Sequence, residues 1–417
     1  MLIPRARATI NAMVLLMLAT ACGSASTATT SSTSPAATAT SSTAAVTTVS
    51  TTTTVVTTTS TSLVPVEMAL PAHPQPDPAP PAPALPDGST GVAVAAGGGA
   101  DVATDPNAEP FVRAHEGLVF PVIARQGGWL QIRHQCEGSA WIDGSQVAFT
   151  PRLFDGDFAG VGLDMSDAIV VLDPGHGGPN TGAVGPLGTL EKDLNLDIAR
   201  RTRDLLAAPH DVDWDNGVIS IGTSIPPAGA VWLTRTEGPA GADIEAGLVF
   251  RATLANEARA NALVSIHNNA SPDGPTDVTG AETYYRVEDP ESKRLAGLVI
   301  EELRRSFAPF DAEWDSALDA GAKYRVRSDG VTDLYGVLKN ATVPAVLVEG
   351  AYLSNMAEEM LLLTPEFRQA YAAGLYRALV RFLTTDDPGS GFVEPINRTA
   401  SPGSGSPQSS CTIPAQP

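Results

Sequence analysis

Residues 168–383 repeat one pattern: a short apolar run of strand length, then a longer segment with apolar residues at helical spacing. The runs AIVVLD (168–173), AVWLTR (230–235), ALVSIH (262–267), AETYYRV (281–287) and PAVLVEGAYLS (344–354) predict strands. TLEKDLNLDIARRTRDLL (189–206), GLVFRATLANEARA (247–260), ESKRLAGLVIEELRRSF (291–307) and TPEFRQAYAAGLYRALVRFL (364–383) predict helices. In the first helix Leu190, Leu194, Ile198, Leu205 and Leu206 make the apolar face, with Thr202 as a gap. Strands separated by helices pair through crossovers rather than hairpins. The expected fold is therefore α/β, a mostly parallel central sheet with helices on both faces. In such sheets ligands bind at the carboxyl ends of the strands.

The chain has 417 residues, more than that one core needs. Residues 90–150 alternate apolar and polar positions in short runs broken by glycine, which predicts a small all-β domain. Its GGWLQIR and SAWID resemble the closing strands of bacterial SH3-like domains, and Trp129 and Trp141 are expected in its core. Residues 1–22 read as an export signal: Arg5 and Arg7, then MVLLMLATA, too short to span a bilayer comfortably. The ending LATAC resembles the lipobox of bacterial lipoproteins, which implies a lipidated Cys22 and membrane anchoring. The alternative is an ordinary cleaved secretory peptide. Residues 23–62 are nearly all Ser, Thr and Ala without charge, and 63–87 turn proline-rich. Neither composition can bury a core, so 23–87 is expected to be a disordered linker reaching on the order of 200 Å. A tether that long suits a working part that acts away from a membrane, and a spacer of no specific length has the same composition. Residues 384–417, rich in Gly, Ser and Pro, are expected to form a flexible tail.

Charge and cysteine count exclude some classes. The formal net charge of -20 repels polyanions, so nucleic acid is not an expected partner. Three cysteines do not make a disulfide scaffold. With Cys22 lipidated, Cys136 and Cys411 are the remaining pair, and an oxidising exterior would let them join. GHGGPNTG is not a phosphate loop: no Gly-Lys-Ser/Thr follows, and Asn180 stands where a dinucleotide fingerprint needs its third glycine.

The stretch VVLDPGHGGPNTG (170–182) places His176 at the end of the first strand. His267 ends ALVSIH and Glu349 ends AVLVE, so all three surface at one sheet edge. Glu191 opens the first helix, directly after the glycine turn that carries His176. Taken singly, each has a plain structural role. A histidine can cap a strand end, Glu191 can sit favourably at a helix N-terminus, and Glu349 can be a buried salt-bridged carboxylate. Taken together, two histidines and a glutamate suit zinc, and three protein ligands leave a fourth position open, as catalytic sites do.

LDPGHGGPNTGAVG, LEKDLNLDIA, LTR, ANEARANALVSIHNNA and PAVLVEGAYLSN, in that order over 168–383, resemble the successive blocks of the zinc-dependent N-acetylmuramoyl-L-alanine amidases, the Amidase_3 family. The resemblance implies His176, Glu191 and His267 as zinc ligands and Glu349 as the catalytic glutamate. It implies hydrolysis of the amide between muramic acid and L-alanine in peptidoglycan, outside the cytoplasm. Cell-wall remodelling, daughter-cell separation or autolysis would follow, the protein being anchored or secreted and wall-associated. The chain departs from the family in two stretches, 207–230 and 308–333, either of which is placed to shape the groove or to cover it. Ala351 and Tyr352 stand where many relatives have glycine and phenylalanine. Two rivals are a zinc peptidase acting on stem peptides alone and a wall-binding protein without activity. Block order favours the amidase over the first, and the intact set of four residues disfavours the second.

Overall fold

A computed structural model describes residues 87–136, 138–151, 162–236, 246–310 and 320–394. The export signal, Cys22, nearly all of the linker, and Cys411 with most of the tail lie outside the described residues. No helix among the described residues is long and apolar enough to cross a membrane.

Seven short strands come first: β1 (Gly91–Ala95), β2 (Ala100–Ala103), β3 (Val112–Ala114), β4 (Val119–Gln126), β5 (Trp129–Arg133), β6 (Ser139–Asp143) and β7 (Val147–Pro151). They form one sheet in the order β3-β2-β6-β5-β4-β1-β7, and all its pairings are antiparallel. The unit expected to be small thus carries the larger sheet of the chain. Phe120, Ile132 and Ile142 are fully buried in its core. Trp129 and Trp141 are only half-buried, so they are not the core residues expected. Aliphatic residues fill that place, because in WLQIR and SAWID the inward positions are Leu130, Ile132, Ala140 and Ile142. Cys136 is disulfide-bonded, with its partner outside the described residues.

The second sheet is built from β8 (Ile169–Pro174), α1 (Glu191–Leu206), a hairpin of β9 (His210–Asp213) and β10 (Val218–Ile221), β11 (Ala230–Leu233), α2 (Leu248–Ala258), β12 (Ala262–Asn269), β13 (Glu282–Tyr285), α3 (Pro290–Phe307), β14 (Gly321–Lys323), α4 (Gly336–Asn340), β15 (Ala345–Tyr352), α5 (Met356–Leu362) and α6 (Pro365–Thr384). Its order is β11-β8-β12-β15-β13-β14. Only the β13–β15 pair is antiparallel. All nine predicted strands and helices are present. The hairpin, β14, α4 and α5 have no counterpart among them.

Strand alternation sorts the side chains. Val170, Leu172, Val264, Ile266, Val346 and Val348 share one core cluster with residues of α1, α3 and α6. Val171, Leu263, Leu347 and Tyr284 face the other way, in a second cluster with α2 and α4 residues such as Leu254 and Leu338. Val92 and Val119 of the antiparallel sheet join this second cluster, and the Gly247 amide donates to the Gln135 carbonyl at 2.8 Å. The helices start where local chemistry places them: Pro290 and Pro365 occupy first turns, and Thr364 caps the Phe367 amide. Thr202, the gap in the α1 stripe, is buried with its hydroxyl donating to the Ile198 carbonyl.

Candidate metal centre and acid–base site

The first inserted stretch does not cover the site. Its hairpin lies against α3 and α6: Arg305 donates to the Trp214 carbonyl and Arg377 to the Gly217 carbonyl at 2.7 Å. A cavity of about 660 Å³ beside it is lined by Trp214, Ile225, Leu163 and Met165. Leu163 and Met165 precede the start of β8, so this cavity lies at the amino ends of the strands. His176 follows the carboxyl end of β8.

There the chain turns sharply. Gly177 and Asn180 exchange both backbone hydrogen bonds at 3.0 Å, closing GGPN into a tight loop. His176 sits in the left-handed region at φ 62, a conformation costly for a residue with a Cβ. Two buried arginines hold it there. Arg251 of α2 donates to the His176 carbonyl at 2.6 Å and the Pro174 carbonyl at 2.7 Å. Arg235, after β11, donates to the Pro174, Gly175 and Lys192 carbonyls at 2.8, 2.9 and 2.7 Å.

The loop delivers His176 to Glu191, the first residue of α1, with Nε2 at 3.0 Å from Oε2. His267, near the end of β12, places Nδ1 at 3.0 Å from Oε1 of the same carboxylate. The two rings meet edge to face at 4.9 Å. Each of the three side chains offers a ligand atom, and those atoms lie within 4.8 Å of one another. Two glycines make room. A Cβ on Gly175 would stand 2.1 Å from His267 Cε1, and one on Gly182 would stand 2.4 Å from Glu191 Oε2. Burial opposes charge on Glu191, but His176 and His267 hold its carboxyl well below the usual carboxylate range. Burial also lowers the His267 pKa, which leaves a neutral imidazole with a lone pair to give. Two imidazoles and one carboxylate at this spacing fit a divalent metal ion.

Glu349 is set beside this group by strand register. It pairs with His267 across β12–β15 and with Glu282 across β13–β15, so the three side chains share one face. Its Oε2 is buried without a hydrogen-bond partner. Burial first, then the nearby Glu191 and Glu282, raise its carboxyl well above the usual range, while Arg325 works the other way.

The sequence candidates missed the supports around these residues. Asp173 is buried and accepts from Thr234 and Arg251 at 2.5 Å and from Ser265 at 2.6 Å. Asn180 Oδ1 lies 3.1 Å from His176 Nδ1. Asn195 Nδ2 donates to Glu191 Oε1 at 3.2 Å, as does the Asn268 amide. One signal was available: Arg251 is the single charge within the first seven residues of the otherwise apolar α2 segment LVFRATL. The second inserted stretch also contributes, through Lys323 and Arg325.

An α/β domain that presents a His-Glu-His donor set beside a carboxyl group with one buried, unpartnered oxygen defines a class: a hydrolytic site fit to hold a metal ion. The chain belongs to the Amidase_3 family of N-acetylmuramoyl-L-alanine amidases, whose model matches residues 170–381, just over half of it. By family it is a hydrolase. It is 31% identical over 227 residues to a germination-specific N-acetylmuramoyl-L-alanine amidase of Bacillus subtilis, covering 53% of this chain and 82% of that one. It is 29% identical over 233 residues to N-acetylmuramoyl-L-alanine amidase AmiC of Escherichia coli O6:H1, covering 50% of this chain but only 51% of that one. A crystal structure of N-acetylmuramoyl-L-alanine amidase from Clostridium difficile 630 aligns with 52% of this chain and 97% of its own, at 27% identity and a TM-score of 0.40.

Proposed function

We propose that this protein hydrolyses the amide between N-acetylmuramic acid and L-alanine in peptidoglycan, with zinc held by His176, Glu191 and His267 and protons carried by Glu349. The observation that carries this reading is the donor trio, its ligand atoms within 4.8 Å, beside a buried carboxyl oxygen that has no partner. Zinc bound there would supply Lewis acidity to the scissile carbonyl and make water a usable nucleophile near neutral pH. The chain's own groups supply the rest. Glu191, ionised and gripped from both sides, sets the charge of the ligand group. His176 and His267 enter as neutral donors. Glu349, with a carboxyl held high and an unbonded Oε2, takes a proton from water and returns it to the leaving amine. The glycine turn keeps bulk away from the edge at which a polymer must arrive.

The rest of the chain serves delivery. Residues 1–22 act as a lipoprotein-type export signal, and the lipid on Cys22 anchors a linker that ends near residue 87. Residues 90–150 form an SH3-like accessory domain. Cys411 is then the partner of the disulfide-bonded Cys136. Mass spectrometry of the exported protein should find diacylglycerol on Cys22 and a Cys136–Cys411 cross-linked peptide. A Cys22–Cys136 peptide would refute both assignments.

The activity is tested on purified peptidoglycan with residues 88–417. Products should be lactyl carboxylates and peptides with N-terminal L-alanine. Cleavage within the stem peptides instead would make the protein a peptidase, and no cleavage at all would make it a binding protein.

A further inference from the structure

Next to Glu349 stands a cation with no ion pair among the described residues. Arg325 follows β14 in the second inserted stretch and is held by two tyrosines. Its Nη1 donates to Tyr335 Oη at 3.0 Å and its Nη2 to Tyr284 Oη at 2.8 Å. The guanidinium lies over the Tyr284 ring at 4.7 Å and the Tyr335 ring at 5.8 Å. The carboxylate that might have paired with it is committed elsewhere. Glu282 is bonded by Lys323 at 3.2 Å, by Tyr352 at 2.9 Å and by the Tyr284 hydroxyl. Among the described residues the hydrogen-bond partners of Arg325 are thus two phenol oxygens, which take two of its five N–H donors. It retains part of its surface exposed, as Glu349 does. The two groups also feel each other electrostatically.

We infer that Arg325 is a specificity residue, which binds the carboxylate of the second stem-peptide residue while the amide preceding L-alanine is cleaved. This rests on the amidase reading above. A planar guanidinium with donors to spare fits a carboxylate in a two-pronged bond. Position selects which carboxylate. Glu282 pairs directly with Glu349, and Tyr284, which carries Arg325, lies two residues along the same strand face. The Tyr284 hydroxyl reaches back to Glu282, so the guanidinium is held close to the group that works on the scissile amide. The first free carboxylate on the peptide side of that amide is the second residue's, since that of L-alanine is in peptide linkage. The aromatic stacking fixes the fork in advance, so little freedom is lost on binding.

The test compares two substrates with zinc-loaded protein: N-acetylmuramoyl-L-alanyl-D-isoglutamate and its isoglutamine counterpart, in which that carboxylate is an amide. Wild type should prefer the acid. Arg325→Met should erase the preference by raising KM for the acid alone, roughly 10- to 100-fold, the range of a charged hydrogen bond. The amide substrate should show no such rise in KM with Arg325→Met. Arg325→Lys, which keeps the charge and loses the fork, should fall between, and it carries the test if Arg325→Met does not fold. Equal losses on both substrates, or a loss confined to kcat, would assign Arg325 to support of Glu349 and overturn the inference. So would a wild type indifferent to amidation. A wild type that cleaves neither substrate, nor purified peptidoglycan, rejects the amidase reading itself.

Discussion

The two halves of the site are built on opposite terms. Around His176, Glu191 and His267 the three side chains answer one another, although Asn268 Oδ1 beside them has no partner among the described residues. The strained His176 backbone is pinned by Arg251 and shares its turn with carbonyls pinned by Arg235. Around Glu349 a buried oxygen has no partner among the described residues, and Arg325, a cation that acts on it, rests on phenols. A fully bonded group is rigid and holds a fixed ligand well. A buried unbonded group is unstable by itself, and natural structures keep one where it has work to do. On the proposed function the contrast separates a part that binds from a part that reacts.

The sharpest way to break that contrast is Glu349→Gln. The variant keeps shape and loses the proton carrier, so turnover on purified walls should fall about 10²–10⁴-fold. Zinc content should remain that of wild type. If zinc is lost along with turnover, Glu349 belongs to the binding half and the division fails.

The next largest effect concerns the support of the binding half. Burial would raise the Asp173 carboxyl, but Arg251, Ser265 and Thr234 together hold it below the usual range. Its folded pKa lies below its unfolded one, so its stabilisation is present above the unfolded value and lost as pH falls. Arg251→Met leaves a buried charge without its ion-pair partner and should destabilise by about 3–5 kcal/mol. It should also weaken the pH dependence. With only Ser265 and Thr234 left against burial the pKa rises, and the stability lost on acidification shrinks. Urea unfolding across pH 4 to 8 checks both points, and an unchanged profile would show that Arg251 does not hold Asp173.

Much of this was legible in the sequence. The fold of 168–383 was, because strand and helix periods there are regular and tertiary contacts reinforce them. The meeting of His176, Glu191, His267 and Glu349 was, because strand ends in a parallel sheet gather at one edge and Glu191 opens the helix that follows the first of them. The supports were not. Arg251 meets Asp173 across 78 positions and Ser265 meets it across 92, pairings that no local spacing encodes. The fate of the two inserted stretches was hidden for the same reason. The first packs on α3 and α6 at the far end of the strands, and the second turns back beside Glu349. Tyr352, in place of the usual phenylalanine, makes sense only once its hydroxyl is seen to donate to Glu282.

A third test moves to a buried carboxyl on neither half. Burial pushes Glu358 up to about 7, although the Tyr352 and Gly280 amides donate to it. Its folded pKa exceeds its unfolded one, so its contribution is fully present below the usual glutamate value and lost as pH rises toward 7. The loss should approach about 3 kcal/mol. Glu358→Gln should flatten the stability profile over that window relative to wild type. A slope shared by both proteins would place its origin in another group, with Glu349 the first to examine.

The smallest expected effect refines the binding half itself. Asn180 Oδ1 stands 3.1 Å from His176 Nδ1, and the Gly182 amide donates to the same atom at 3.2 Å. An atom that accepts from a backbone N–H is the oxygen, so the side-chain amide is not flipped. An oxygen can only accept, so Nδ1 of His176 carries a hydrogen, and a metal taken at Nε2 replaces the hydrogen that Nε2 otherwise gives to Glu191. Nε2 is the nitrogen that faces Glu191, at 3.0 Å. Asn180 therefore selects the tautomer that can bind a metal from the correct side. Removing such a partner typically weakens metal affinity about 10- to 100-fold. Asn180→Ala should show that loss in zinc competition against a chelator, with turnover close to wild type once zinc is saturating. Asn180→Asp, an acceptor of greater basicity, should hold zinc at least as tightly as wild type. If Asn180→Ala retains zinc as wild type does, the tautomer is set by Glu191 alone. The rigidity of the binding half then ends at its three ligands.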